Sequence, residues 1–394
     1  MTAHHAVILG AGAAGTSAAR ALASHDGIRT TLVGQTDETP YTRMLIKGVA
    51  FGLTTLELIR LPMPQTDFIA DTAEFVDIET RQVRLASGAT IDYDSLIVAT
   101  GSRARGLDSV PGAEQAEEAG TLVTLHSLDD AVRIREVINA CGMQARVAIY
   151  GAGLTASETA SVLQAQGHQI SLIARSEIPG IAALGRPVAE RIAADHQSRV
   201  ATFFGRTIRR IHPETDATVI TLDNGTDLTV DLVVLALGTT PVALAPWSEG
   251  VAVDDRLCAR DLEGVYAAGG MAVHHDDHLG TWRIDHWDDG AAQGMHAARM
   301  LLHDYGRGED PGPYRPRSAF MAMIYGQMIA GVGYTGHPET RIEQAEEFIV
   351  LHEQDDAVVG VSGIDAVGAV YQWSQRLHVA RSEQNEGRVR ERPE

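Results

Sequence analysis

The chain has 394 residues, 44% hydrophobic and 21% charged, an ordinary globular composition that excludes general disorder and leaves room for two or three domains. Its formal net charge of -20 argues against nucleic acid or an anionic membrane as a partner and makes docking to a strongly acidic protein less favourable. Cys141 and Cys258 lie in no CxxC or CxxxxC spacing, so neither a redox dithiol nor a zinc cluster is readable, and both are expected to be small buried hydrophobes.

No apolar run approaches the length of a membrane span, and no basic segment precedes a cleavable apolar core, so a cytoplasmic location is expected. "AVILGAGAAGTSAARALAS" (6–24) predicts a short buried strand, a glycine turn and an apolar helix, and "RTTLVG" (29–34) a second strand. Together these make one βαβ unit. The same grammar returns in "RVAIYGAGLTASETASVLQAQGHQISLIAR" (146–175), which implies two nucleotide sites or one duplicated fold. "IDYDSLIVATGS" (91–102) and "VDLVVLALGTTP" (230–241) are buried β runs ending in glycine and look like chain crossings between domains.

"GVYAAGGMAV" (264–273) ends a third such strand, and the stretch from Arg283 is expected to form an amphipathic helix closed by Gly306. "HHDDH" (274–278) between them fits no standard metal spacing and is expected to be a solvated loop without a metal. "RGEDPGPYRP" (307–316) predicts a linker, the β runs after it and a helix around 366–380 predict a small α+β domain, and the residues from 381 predict a solvated tail.

Gly10, Gly12 and Gly15 fit GxGxxG between strand and helix, where backbone N–H groups and the helix N-terminus can hold a pyrophosphate. Gln35 and Thr36 stand where the acidic ribose ligand of such motifs should fall, with Asp37 and Glu38 just beyond. In the second motif Gly151 and Gly153 are followed by Ala156 in the third position, where a small side chain is tolerated. Its strand ends at Arg175 instead of an acid, which favours the 2′-phosphate of NADPH over NADH, with NADH as the alternative.

In their order and spacing these segments resemble the FAD-dependent pyridine-nucleotide oxidoreductases, in particular the ferredoxin-reductase-like branch that includes putidaredoxin, rubredoxin and biphenyl-dioxygenase ferredoxin reductases and apoptosis-inducing factor. The resemblance spans nearly the whole chain. It rests on the first glycine turn, "PYTR" (40–43), "LIVATG" (96–101), "GAGLTASE" (151–158), "LALGTTP" (235–241), "GVYAAG" (264–269) and "RIDHWDDGAAQG" (283–294). It implies an α/β chain with two Rossmann-like, glutathione-reductase-type domains: FAD-binding residues 1–108 and 237–313, and NAD(P)H-binding residues 109–236. A C-terminal α+β interface domain, 314–380, and the tail, 381–394, complete the expected layout.

The resemblance implies that Gly10, Gly12, Ala13, Ala14 and Gly15 hold the FAD pyrophosphate beside Arg43, and that Thr100 and Gly101 mark the exit from the FAD domain. Gly151, Gly153 and Arg175 would bind NADPH, and Gly238, Gly269 and Gly270 would lie at strand ends beside the cofactors. His286 and Trp287 match a pair near the flavin, with Asp285 in place of the family's glutamate; structural packing is their alternative role. Lys47 is the only lysine among 32 Lys and Arg residues, and the resemblance assigns it to the flavin edge, paired with Glu158. A compact ammonium can stabilise negative charge on a reduced flavin where a guanidinium is too wide.

Three departures qualify the match. Three residues, not four, separate Arg43 from Lys47, which on a helix turns the lysine by about 100°. The aspartate that hydrogen-bonds the flavin ribitol in the family is Gly270 here, so weaker FAD binding is expected, by about 0.5 to 1.5 kcal/mol for one lost hydrogen bond to a neutral group. "FMAMI" (320–324) replaces a tryptophan-containing segment and puts carrier docking in question.

The leading expectation is an FAD-dependent NAD(P)H oxidoreductase that passes hydride to flavin and then electrons to a ferredoxin- or rubredoxin-like iron–sulfur carrier. One rival is a flavoenzyme that reduces a small molecule or oxygen directly. The other is a degenerate, non-catalytic nucleotide-binding module. Relatives of this kind occur as monomers and homodimers, and the sequence favours neither.

Overall fold

The structure, a computed structural model, describes residues 3–276, 280–316, 319–336, 339–344, 348–354, 357–374 and 376–377. The expected tail, 381–394, lies outside the described residues, as do Asp277 and His278 of the histidine–aspartate block. The chain divides into two compact units, the first built from Met1–Leu45, Thr54–Arg103 and Thr239–Pro316 and the second from Ile46–Leu53, Ala104–Gly238 and Arg317–Glu394.

The first unit is organised by a parallel five-stranded sheet in the order Val265–Ala267, Ser95–Val98, His4–Leu9, Ile28–Gly34, Asp67–Ala70. Its strands are apolar runs because both faces are covered. On one face Ile8, Leu32, Ile97 and Tyr266 pack with the helices Ala13–Leu22 and Trp287–Asp304; on the other Val7, Leu9, Val33 and Leu96 join Leu244, Val251 and Met271. The two helices touch closely, since a Cβ at Gly294 would lie 2.0 Å from the Ala14 carbonyl oxygen.

The second unit repeats the plan with the order Leu122–Thr124, Leu232–Leu235, Arg146–Tyr150, Gln169–Ala174, Ala201–Phe204, again all parallel. In both sheets the strand before the glycine turn is central, flanked by the second strand of its βαβ unit and by the returning strand. The second unit also carries an antiparallel five-stranded sheet in the order Phe320–Ile324, Gln327–Gly333, Ala357–Ile364, Phe348–Gln354, Thr340–Gln344. This is the α/β architecture with a C-terminal antiparallel sheet that the sequence leads one to expect. Among the described residues no helix is long and apolar enough to cross a membrane.

Four local expectations are corrected. The "HHDDH" block opens in a strand, Ala272–Asp276, paired antiparallel with Gly280–Trp282, and not in a loop. His274 is buried there and stacks on its cross-strand partner Trp282 with ring centroids 4.0 Å apart. The long helix starts at Trp287, leaving Arg283–His286 outside any helix or strand, although Gly306 does follow its end with φ +73°. Cys141 is exposed, not buried, because it stands at the C-terminal cap of the helix Leu128–Ala140. Finally, the segment expected to be a plain linker packs on its own unit: Tyr314 lies against the core, and its hydroxyl donates to Asp289 Oδ1 at 2.7 Å.

Candidate functional site

In the first unit the strand His4–Leu9 ends at Gly10, whose φ of +105° suits only glycine; a Cβ there would lie 2.2 Å from the Ala99 carbonyl oxygen. That contact presses the turn onto the strand end at Ala99–Gly101. Gly12 caps the helix Ala13–Leu22 without a side-chain hydrogen bond, and a Cβ on it would meet no atom within 4 Å. The N–H groups of Ala13, Ala14 and Gly15 precede the first intrahelical bond, from Thr16 N–H to the Gly12 carbonyl, and so converge on open space. Gly15 packs on Gly10, where even a methyl would overlap its carbonyl oxygen.

The neighbouring groups fit an extended dinucleotide. Thr100 Oγ1 and His286 Nδ1 are buried polar atoms without a hydrogen-bond partner, and Gly101, with φ +77°, has no atom within 4 Å of a Cβ position. Gly269 N–H donates to Gln293 Oε1 at 2.8 Å, and Gln293 Nε2 donates to Asp289 Oδ2 at 2.6 Å. His286 caps the helix that begins with Trp287. Among these side chains stands Asp285, a residue to which the sequence alone assigns no role. Burial pushes its carboxyl upward, but hydrogen bonds from Ser102 and Thr239 and the charges of Arg283 and Arg43 outweigh that, so its pKa lies below the ordinary carboxylate value.

The second unit builds a similar cradle. A Cβ at Gly151 would lie 2.3 Å from the Ala236 carbonyl oxygen, as Gly10 does against Ala99. Gly153 caps the helix Leu154–Ala165, again without a side-chain bond and with no atom within 4 Å of its Cβ position. Ala156 is 1% exposed, and Arg175 is exposed just beyond the strand Gln169–Ala174. Gly238 has φ +79°.

Lys47 and Glu158 form an ion pair in this unit, with side chains 30% and 17% exposed. The short Arg43–Lys47 spacing does not prevent it, because Arg43–Leu45 forms a 3₁₀ turn before the helix Ile46–Ala50, and a 3₁₀ turn changes the angular phase of the residues after it. Glu158 Oε1 also accepts from Met323 N–H at 3.3 Å, in the "FMAMI" strand. Behind Glu158, the fully buried His196 bridges Ser157 Oγ at 3.0 Å and the Tyr325 hydroxyl at 2.8 Å. Desolvation lowers the pKa of His196 to about 4, so it is a neutral strut at neutral pH.

Among the described residues no group of three or more His, Cys, Asp or Glu could hold a metal ion. The sequence model of one family, described as pyridine nucleotide-disulphide oxidoreductase, matches residues 4–294. Rubredoxin-NAD(+) reductase of Pseudomonas putida is 25% identical, over 83% of this chain and 86% of that protein. The anthranilate 1,2-dioxygenase system ferredoxin-NAD(+) reductase component of Burkholderia cepacia is 27% identical, over 77% of this chain and 76% of that protein. Among solved structures, the ferredoxin reductase for the CYP199A2 system of Rhodopseudomonas palustris superposes with a TM-score of 0.80 at 24% identity, covering 92% of this chain and 91% of that one. The covalent putidaredoxin reductase–putidaredoxin complex gives a TM-score of 0.83 at 22% identity, covering 95% and 93%. At these identities the two structures speak for the fold alone.

Proposed function

The chain belongs to the pyridine nucleotide-disulphide oxidoreductase family, in its ferredoxin-reductase-like branch, and from that premise we propose that it is an FAD-dependent NAD(P)H reductase serving a ferredoxin- or rubredoxin-like iron–sulfur carrier. The observation that carries the reading is the duplicated cradle, one strand–glycine–helix turn in each unit, each with an uncapped helix start facing open space. FAD, when bound, supplies the conversion of a two-electron donor into single electrons that iron–sulfur carriers accept.

The chain's own residues bind, orient and neutralise. In this reading the N–H groups at Ala13–Gly15 hold the pyrophosphate, with Arg43 adding positive charge and Thr100 Oγ1 and His286 Nδ1 offering buried polar contacts. Lys47, restrained by Glu158, supplies the positive charge that a reduced ring requires. The absence of a cysteine pair near these groups leaves no dithiol relay, since both thiols are free and Cys258 is pushed by burial up to about 12.

The reductant is assigned between two opposed signals. Several relatives are named for NAD(+), which favours NADH, whereas Arg175 at the strand end favours NADPH. The ratio of kcat/KM for NADH and NADPH, in the wild type and in Arg175→Glu, decides: a ratio unmoved by the substitution removes Arg175 from nicotinamide recognition. A cytoplasmic location, where nicotinamide reductants are available, is part of the proposal.

One observation favours the second reading, direct reduction of an apolar small molecule or oxygen. Met321 and Met323 project from the edge strand Phe320–Ile324 and are 49% and 47% exposed, next to the Met323 N–H that Glu158 accepts. Stopped-flow oxidation of the reduced protein by ferredoxin and rubredoxin, compared with quinones and oxygen, separates the two. Faster oxidation by an iron–sulfur carrier supports the first reading, and faster oxidation by quinone replaces it.

A further inference from the structure

Three small elements of the first unit meet at Asp285. Ser102 Oγ donates to its Oδ2 at 2.6 Å, Thr239 Oγ1 donates to the same oxygen, and Arg283 stands 3.7 Å away, also toward Oδ2. Arg283 is itself tied down, donating to the Thr239 carbonyl at 2.9 Å and to the Gly270 carbonyl at 3.3 Å. The carboxylate is therefore clamped through one oxygen. Its Oδ1 has no hydrogen-bond partner among the described residues, and the side chain is 28% exposed.

That free oxygen occupies the space in front of Gly270. A Cβ built on Gly270 would lie 3.1 Å from Asp285 Oδ1, 3.2 Å from the Gly101 carbonyl carbon and 3.3 Å from Ser102 Cβ. Gly270 does not have a positive φ, so no backbone strain forbids a side chain there. The Asp285 carboxylate crowds the position together with the Gly101 backbone and Ser102, and of the three it is the only charged group. A fixed anion with one open acceptor calls for a donor, and beside a pyrophosphate cradle a phosphate oxygen would be repelled.

The sheet order says which donor. The adenosine half of a dinucleotide extends toward the second strand of the βαβ unit, here Ile28–Gly34. Gly101 and Gly270 follow Ser95–Val98 and Val265–Ala267, on the opposite side of the central strand. Hydroxyls on that side belong to the sugar-alcohol chain of the flavin half.

We propose that Asp285 Oδ1 is the acceptor for a ribityl hydroxyl of FAD, and that Asp285 and Gly270 form a coupled pair in which only one position can carry the acid. This rests on the FAD reading above. It also offsets the weaker FAD binding expected from Gly270, because the missing carboxylate is supplied from residue 285 of the same unit.

The test is a double-mutant cycle read by FAD titration of the apo protein through flavin fluorescence, with apo melting temperatures and ADP affinity as controls. Asp285→Ser is expected to weaken FAD binding about tenfold to a hundredfold, the worth of one hydrogen bond to a charged acceptor, and to leave ADP binding unchanged. Gly270→Asp alone also weakens FAD, since two carboxylates then crowd one space. The double variant Gly270→Asp, Asp285→Ser recovers FAD affinity to within a few-fold of wild type. Should Asp285→Ser fail to fold, Asp285→Asn keeps the shape and is expected to show a smaller loss of the same sign, because its amide oxygen still accepts but without the charge. Equal FAD binding by wild type and Asp285 variants overturns the inference and leaves the reductase reading standing, as does a double variant no better than its worse parent. A wild-type protein that takes up no FAD overturns both.

Discussion

Gly10 and Gly12 sit two residues apart and ought to behave oppositely when changed to alanine. At Gly10 the positive φ and the 2.2 Å approach to Ala99 leave no room for a methyl, so Gly10→Ala is expected to destabilise the fold by about 2 kcal/mol or more. At Gly12 the backbone is extended, with φ -79° and ψ -163°, and the added methyl meets open space. Gly12→Ala should hold stability within about 0.5 kcal/mol while weakening FAD, because its methyl enters the cradle. Urea unfolding of the apo proteins beside FAD titration checks both halves. Lys47→Met makes a related contrast: its ion pair is partly exposed and contributes roughly 1 kcal/mol or less, so melting should shift little. Flavin reduction by the nicotinamide, followed by stopped flow, should slow by about tenfold or more if one charge is lost from the reacting site; an unchanged rate would leave Lys47 a structural residue.

At the scale of elements, the βαβ units were legible because three signals coincide there: buried β-branched strands, glycines at a turn and a small-residue helix. The pairing of Ala272–Asp276 with Gly280–Trp282 was hidden for a physical reason. Its inward position is filled by His274, which stacks on Trp282, so the alternation of inward and outward residues does not register as apolar and polar. The Asp285 clamp was hidden for another, since Ser102 is 183 residues and Thr239 46 residues away in sequence, and only the sheet order brings them together. The Lys47–Glu158 pair, 111 residues apart, was expected from resemblance and not from local pattern.

Buried histidines add an element-level prediction. Desolvation lowers His196 and His274 to about 4, against 6.5 for the free side chain, so the unfolded chain binds more protons between those values. Their contribution to stability is complete above pH 6.5, is lost as pH falls toward 4 and then levels off. Each can account for up to about 2 kcal/mol between pH 6.5 and 5. Calorimetric melting across that range should show the loss, with a shallower slope in His196→Gln; an unchanged slope would mean that His196 is not held neutral.

The whole molecule carries a formal charge of -20, which bears on acceptors more than on the fold. An acidic carrier would be repelled at low ionic strength, and screening should then raise its reduction rate as salt is added. A neutral quinone should show no such rise. The central claim, that the two cradles serve FAD and a nicotinamide, is tested most directly by adding FAD to the purified protein and titrating it anaerobically with NADH and then NADPH while recording the visible flavin band. The account predicts stoichiometric FAD uptake and bleaching of the band by at least one of the two reductants. A protein that takes up FAD but is bleached by neither, or that refuses FAD altogether, would contradict it.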